Sequence, residues 1–80
     1  MKLWIGNLDP QTTDEQLREF LGKYSTLRIA KITRVPGDGS RPAATLEFEN
    51  PDFKAVYDAQ RRLHGMHWNQ RELFVQVTRD

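Results

Sequence analysis

Leu3-Trp4-Ile5-Gly6-Asn7-Leu8 is the stretch on which the reading of the chain turns. Leu3 and Ile5 share one parity, while Lys2, Trp4 and Gly6 share the other. A strand points successive side chains to opposite faces. The stretch therefore predicts a strand with an aliphatic core face and an outer face that displays Trp4. Gly6, lacking a Cβ, lets something approach the backbone closely. Large aromatics bury most of their area, so an outward Trp either lies under another segment or serves a partner.

Working outward, Asp9-Pro10-Gln11-Thr12 reads as a turn. Thr13-Asp14-Glu15-Gln16 has the form of a capping box, with Thr13 as N-cap and Gln16 at the third helical position. Asp14 and Glu15 suit the positive end of a helix dipole. Leu17, Phe20, Leu21 and Tyr24 recur at helical spacing and predict a helix over 14–23. Residues 27–35 mix β-branched and charged residues and predict a strand. Pro36-Gly37-Asp38-Gly39-Ser40 is a loop by every local signal. Ala43 to Glu49 alternates again, with Ala44, Leu46 and Phe48 on one side and Thr45 and Glu47 on the other, which makes a hairpin with 27–35.

Asn50-Pro51 predicts a second helix start, Asn50 as cap and Pro51 at the first helical position. Phe53, Val56, Ala59 and Leu63 form its apolar stripe over 52–63, and Gly65 suits a left-handed helix end. Residues 66–71 read as a loop and Glu72 to Val77 as a last strand. The order is βαββαβ, an α+β chain. Two helices with one apolar stripe each cover one face of a four-stranded sheet and leave the other face open. Trp4 lies on the open face.

The totals limit the function. Eighty residues make one domain, 1–80, with one modest core. With no Cys there is neither a disulfide framework nor a thiolate metal site, which suits a reducing compartment. No apolar run approaches the roughly 18 residues of a membrane helix, and the first residues read as a strand and not as a secretory signal. A formal charge of +1, from 12 basic and 11 acidic residues, argues against a polycation that coats duplex nucleic acid. A local basic patch is compatible with it.

The element order and the residues together resemble an RNA recognition motif (RRM) domain over essentially the whole chain. Leu3 to Leu8 is similar to that family's shorter ribonucleoprotein motif, with Trp4 at its aromatic position. Thr13-Asp14-Glu15-Gln16-Leu17 is similar to its first helix start, and Leu63-His64-Gly65 followed by Leu73-Phe74-Val75 to its ending. The longer motif reads Lys/Arg-Gly-Phe/Tyr-Gly/Ala-Phe-Val-x-Phe/Tyr. Arg41-Pro42-Ala43-Ala44-Thr45-Leu46-Glu47-Phe48 matches it at Arg41, Ala44, Leu46 and Phe48. Ala43 and Thr45 stand where two exposed aromatics are expected. The core-facing half of the motif survives and the stacking half is gone.

The resemblance implies a ferredoxin-like sandwich with strand order 4-1-3-2, so that Phe74 neighbours Trp4 on the open face. The expected nucleic-acid face comprises Lys2, Trp4, Lys31, Thr33, Arg41, Ala43, Thr45, Glu47, Phe74 and Gln76. Trp4 and Phe74 would stack on bases, and Lys2, Lys31 and Arg41 would meet phosphates or bases. The implied partner is single-stranded RNA and the expected state a monomer, in the cytoplasm or, in a eukaryote, the nucleus. The alternative is an RRM-like protein-interaction module. Some of those carry Arg-x-Phe before the last strand, where this chain has Met66-His67-Trp68; Trp68 is expected to cap the core edge instead.

Other chemistry finds little support. His64 and His67 lack further ligands for zinc, and no cofactor is expected. Ser25 and Ser40 have no His partner at a recognisable spacing, and Gly37-Asp38-Gly39 is not followed by a helix N-terminus as a phosphate loop would be. An enzyme is not expected.

Overall fold

The computed structural model describes residues 1–49 and 52–79. Strands β1 (Lys2–Gly6), β2 (Ile29–Val35), β3 (Ala43–Phe48) and β6 (Phe74–Thr78) form one sheet in the order β2-β3-β1-β6, every neighbouring pair antiparallel. Between them run α1 (Asp14–Tyr24) and α2 (Phe53–Leu63). This is the expected ferredoxin-like order, with the last strand beside the first.

Alternation sets the two faces. Leu3, Ile5, Ala44, Leu46, Phe48 and Val75 share one side of the sheet and one core with Leu17, Phe20 and Leu21 of α1 and Val56, Ala59 and Leu63 of α2. Both helices therefore cover the same face. The predicted capping box opens α1: the Thr13 side chain accepts from Gln16 N, and the Gln16 side chain accepts from Thr13 N.

Four local expectations need correction. β2 starts at Ile29 rather than at residue 27 and carries a register shift between Ile29 and Lys31. The shift lets Ile29 face the core while Lys31 pairs with Glu47 on the other side, as a bulge does when it inserts one unpaired residue. The cap of α2 is Asp52, whose side chain accepts from Lys54 N; the proposed cap and first-turn pair, Asn50-Pro51, lies outside the described residues. Phe53, placed in the apolar stripe, is 66% exposed, because the helix starts there and its first turn overhangs the core. Residues 66–71 hold a small hairpin, β4 (His67–Trp68) and β5 (Arg71–Glu72), so the last strand begins at Phe74. The two residues at its tip, Asn69 and Gln70, have φ of 51° and 67°, the double positive φ of a type I′ turn. Gln is not a usual signal for that turn.

The hairpin has a packing role. Trp68 stacks on Phe20 at 4.3 Å between ring centroids, and Phe20 meets Tyr24 edge-on at 5.3 Å. Trp68 closes the core edge, as the sequence predicts. The outer edge of β6 is engaged at Val75: Val75 N donates to His64 Nδ1 at 3.0 Å, and Gln60 Nε2 donates to Val75 O at 2.9 Å. Satisfying an edge strand in this way removes a template for stray pairing. Gly65 takes the expected positive φ, 82°.

Candidate nucleic-acid interface

The face away from the helices can be laid out from the strand registers, reading across from β2 through β3 and β1 to β6. The middle row is Thr33, Thr45, Trp4, Gln76. On one side of it lie Lys31 opposite Glu47 and Lys2 opposite Thr78, with Lys2 Nζ 4.0 Å from Glu47 Oε2. On the other side lie Val35 opposite Ala43 and Gly6 opposite Phe74. Trp4 is at the centre.

Its indole does not stand up from the sheet. A Cβ built on Gly6 would collide with Trp4 Cη2 and would lie 2.7 Å from Cζ3 and 2.9 Å from Cζ2. The benzene half of the indole therefore rests on the backbone of Gly6, two residues along the same strand face. Gly6 is buried and Trp4 only partly exposed for this reason. The close approach that Gly6 permits is made by a side chain of the domain itself. One indole face is against the backbone and the opposite face looks outward.

The remaining predicted residues divide by exposure. Phe74 is 45% exposed, tilted against His64 at 6.1 Å between centroids. Lys31, Thr33, Arg41 and Gln76 are exposed, and Lys2, Thr45 and Glu47 half-buried. Ala43 is on the same face by register but only 4% exposed, so it offers a partner almost no surface. Beside Gly6 it widens the low floor around the indole. The single acid, Glu47, is held between two lysines, Lys2 by proximity and Lys31 by register.

Two arginines near the face, Arg34 and Arg71, have structural work. Arg34 Nη1 donates to Asp14 Oδ1 at 3.0 Å and its Nη2 to Thr12 O at 2.9 Å, pinning β2 to the start of α1. Arg71 Nη1 donates to Ser40 O at 2.8 Å and Leu8 O at 3.2 Å, tying the β4–β5 hairpin to the loop after β2 and to the end of β1. Nothing in the sequence singles out Arg71, whose partners are 31 or more residues away. Asn7, at φ 62°, donates from Nδ2 to Glu72 O at 2.8 Å. Asn tolerates the left-handed region better than most residues, and here it turns the chain out of β1.

The loop after β2 is internally bonded. Gly39 N donates to Pro36 O, and Ser40 donates to Asp38 Oδ1 through both its N and its Oγ. These bonds from Ser40, the hydroxyl's first, hold the Asp38 carboxyl below the usual aspartate range. Among the described residues, no group of three or more His, Asp or Glu is placed to hold a metal, and no helix is long and apolar enough to cross a membrane.

A four-stranded antiparallel sheet with both helices on one face and an aromatic at the centre of the other is the architecture of a sheet-platform binding domain. The family model of the RNA recognition motif matches residues 3–73, and the chain belongs to that family. The resemblance read from Leu3 to Leu8 and from the last strand is thereby borne out, and with it the reading of the chain as an RNA-binding module. The chain is 45% identical over 66 residues to nuclear polyadenylated RNA-binding protein 4 of Saccharomyces cerevisiae, covering 80% of this chain and 12% of that protein. It is 28% identical over 75 residues to polyadenylate-binding protein 2 of Arabidopsis thaliana, covering 94% of this chain and 12% of that one. The chain thus spans about an eighth of the length of these relatives. Among solved structures it resembles the RRM of Rna15 with bound RNA (GU), at a TM-score of 0.76 and 18% identity, covering 99% of this chain and 83% of that one. At that identity the likeness concerns the fold.

Proposed function

We propose that this domain binds single-stranded RNA on its open sheet face, with Trp4 as the principal stacking surface. The observation that carries the reading is the Trp4 indole, lying flat at the centre of the one sheet face that no helix covers. Base stacking on an aromatic tolerates any base because every base has a π-face. Phe74 adds a second apolar surface at the β6 edge. Lys2, Lys31 and Arg41 supply positive charge for phosphates, while Thr33, Thr45, Gln76 and Glu47 supply hydrogen-bonding groups. Ala43 contributes shape and no contact surface.

The domain acts by binding, as a monomer, without a cofactor, a membrane or a catalytic step. The absence of cysteine, and relatives named for binding nuclear polyadenylated RNA and polyadenylate, support a cytoplasmic or nuclear setting. A protein partner is the second reading. It is favoured by β3, where Thr45 and the covered Ala43 leave no aromatic on the open face.

The test is a fluorescence-anisotropy titration of a labelled, short, random-sequence single-stranded RNA at physiological salt. Binding is expected, and weaker than for an RRM with aromatics on β3, since each stacked base is worth about 1–3 kcal/mol. Low-nanomolar affinity would overturn the account of β3. No binding at all would leave the protein-partner reading.

A further inference from the structure

We infer that His64 is a positioning residue for the RNA site: its Nδ1 holds the backbone that carries Phe74 and so steadies that ring on the open face. The inference rests on the RNA-binding reading above and adds to it a residue from the end of a helix, outside the predicted interface. In an antiparallel strand a residue turns its N–H and C=O to the same side. Val75 turns both to the outer edge of β6, where no further strand pairs. The end of α2 stands in for that strand. Val75 N donates to His64 Nδ1 at 3.0 Å, and Gln60 Nε2 donates to Val75 O at 2.9 Å. His64 is itself anchored, since its own N donates to Gln60 O at 3.0 Å.

The Val75 N–H belongs to the peptide unit that follows the Cα of Phe74. That unit is planar, so the bond to His64 fixes the backbone on the C-terminal side of Phe74. The imidazole also meets the Phe74 ring itself, tilted at 57° with 6.1 Å between centroids. One side chain thus holds both the backbone and the ring. Phe74 needs the support: it is 45% exposed on the outermost strand, and its register partner on β1 is Gly6, which has no side chain to pack on it. A ring without support samples several rotamers, and ordering it when a base stacks costs affinity. An Nδ1 that accepts from an N–H carries no proton, so the His64 ring is neutral with its proton on Nε2. Lys, Arg and apolar side chains offer no acceptor and could not make this bond.

The experiment compares two substitutions. His64→Phe keeps an aromatic ring without an acceptor, and His64→Asn keeps an acceptor without the ring. His64 is exposed, so neither change empties the core. Long-range proton–nitrogen NMR reports the imidazole tautomer and the Val75 amide resonance reports the bond. Thermal melting reports the fold, and labelled random-sequence single-stranded RNA reports binding. The wild type is expected to show the proton on Nε2; a proton on Nδ1 would overturn the inference. His64→Phe is expected to shift the Val75 amide resonance and weaken RNA binding about threefold, a part of the loss that one stacked base carries. His64→Asn is expected to restore both. In a Phe74→Ala background His64→Phe is expected to cost no further affinity, because the ring it steadies is gone. Should His64→Phe fold poorly, His64→Ala serves in its place. Unchanged RNA affinity in His64→Phe would overturn the inference. So would an equal loss in the Phe74→Ala background, or a His64→Asn variant that binds as weakly as His64→Phe. A wild type that binds no RNA would remove the proposed function and this role together, whereas a wild type that binds with no difference among the variants would remove this role alone.

Discussion

Replacing Trp4 with alanine separates a binding surface from a structural one, and the geometry sets the size of both effects. A fully buried aromatic covers about 150–250 Å². The Trp4 indole has one face on Gly6 and the other outward, so roughly 100 Å² of it is removed from water. At about 25 cal/mol per Å² this contributes at most ~2.5 kcal/mol, and about 2 kcal/mol once the unfolded chain's own partial burial is discounted. No closed cavity is left, so the additional term that raises a core Trp→Ala to about 3–5 kcal/mol does not apply. For a domain of this size about 2 kcal/mol lowers the melting temperature by roughly 8–16 °C. RNA affinity should fall by about five- to 150-fold, the equivalent of one stacked base. The assays are a thermal melt and an RNA anisotropy titration, both at a temperature where the variant is folded. A much larger loss of stability with unchanged binding by the folded fraction would refute the stacking role. A variant neutral in both assays would place the functional surface elsewhere, on a helix face.

Other changes should sort along the same two axes. Leu46→Ala removes a fully buried side chain from β3 and should cost about 2–5 kcal/mol, with the folded fraction still binding RNA; a melt within a few degrees of wild type would contradict the assigned core face. Phe74→Ala removes a ring that is 45% exposed, so RNA titration should show a loss while the melt moves less than for Trp4→Ala; unchanged RNA affinity would remove Phe74 from the site. Asp58 is held below the usual aspartate range, first by the hydrogen bond from Lys54, then by the charges of Lys54 and Arg61. A depressed carboxyl contributes stability above its unfolded pKa and loses it as pH falls through the folded one. The melting difference between wild type and Asp58→Asn should therefore narrow on acidification through the aspartate range, and a difference that grows there would contradict the pairing; at this exposed site the effect is small.

The fold was legible because period and punctuation agree almost everywhere. Leu3 and Ile5, then Ala44, Leu46 and Phe48, mark the core side of two strands, and the Thr13–Gln16 capping box starts α1 where the spacing begins. What escaped reading depends on contacts between distant residues. Ile29 and Ile32 both pack toward the core although three apart, which strict alternation forbids, and only the register against β3 reveals the bulge. The β4–β5 hairpin turns on Asn69-Gln70 and is held by Trp68 against Phe20 from another element. Phe53 has the right spacing for a stripe, yet the helix begins at that residue and leaves it outside. At the site, parity alone gives the face of Trp4, Phe74 and Gln76. It does not give the tilt of a ring, so the rest of the indole on Gly6 could not be read from the letters.

That tilt changes what the departures in β3 mean. Taken singly, Ala43 and Thr45 are losses of stacking surface. Taken with the registers, they belong to a group of small residues around one large ring: Thr45 opposite Trp4, and Val35 opposite Ala43 in the row that holds Gly6. An upright ring on β3 at position 43 would stand next to Gly6, where the Trp4 indole now lies. Two large side chains cannot occupy that place without overpacking. A broad indole at position 4 and an aromatic at position 43 are thus expected to compete for the same space. Adding Phe at position 43 should for that reason displace the indole and not simply add a second stacking surface. If Ala43→Phe bound RNA more tightly with the Trp4 near-UV dichroism intact, the two rings would be compatible, and Ala43 would be a plain loss of stacking surface.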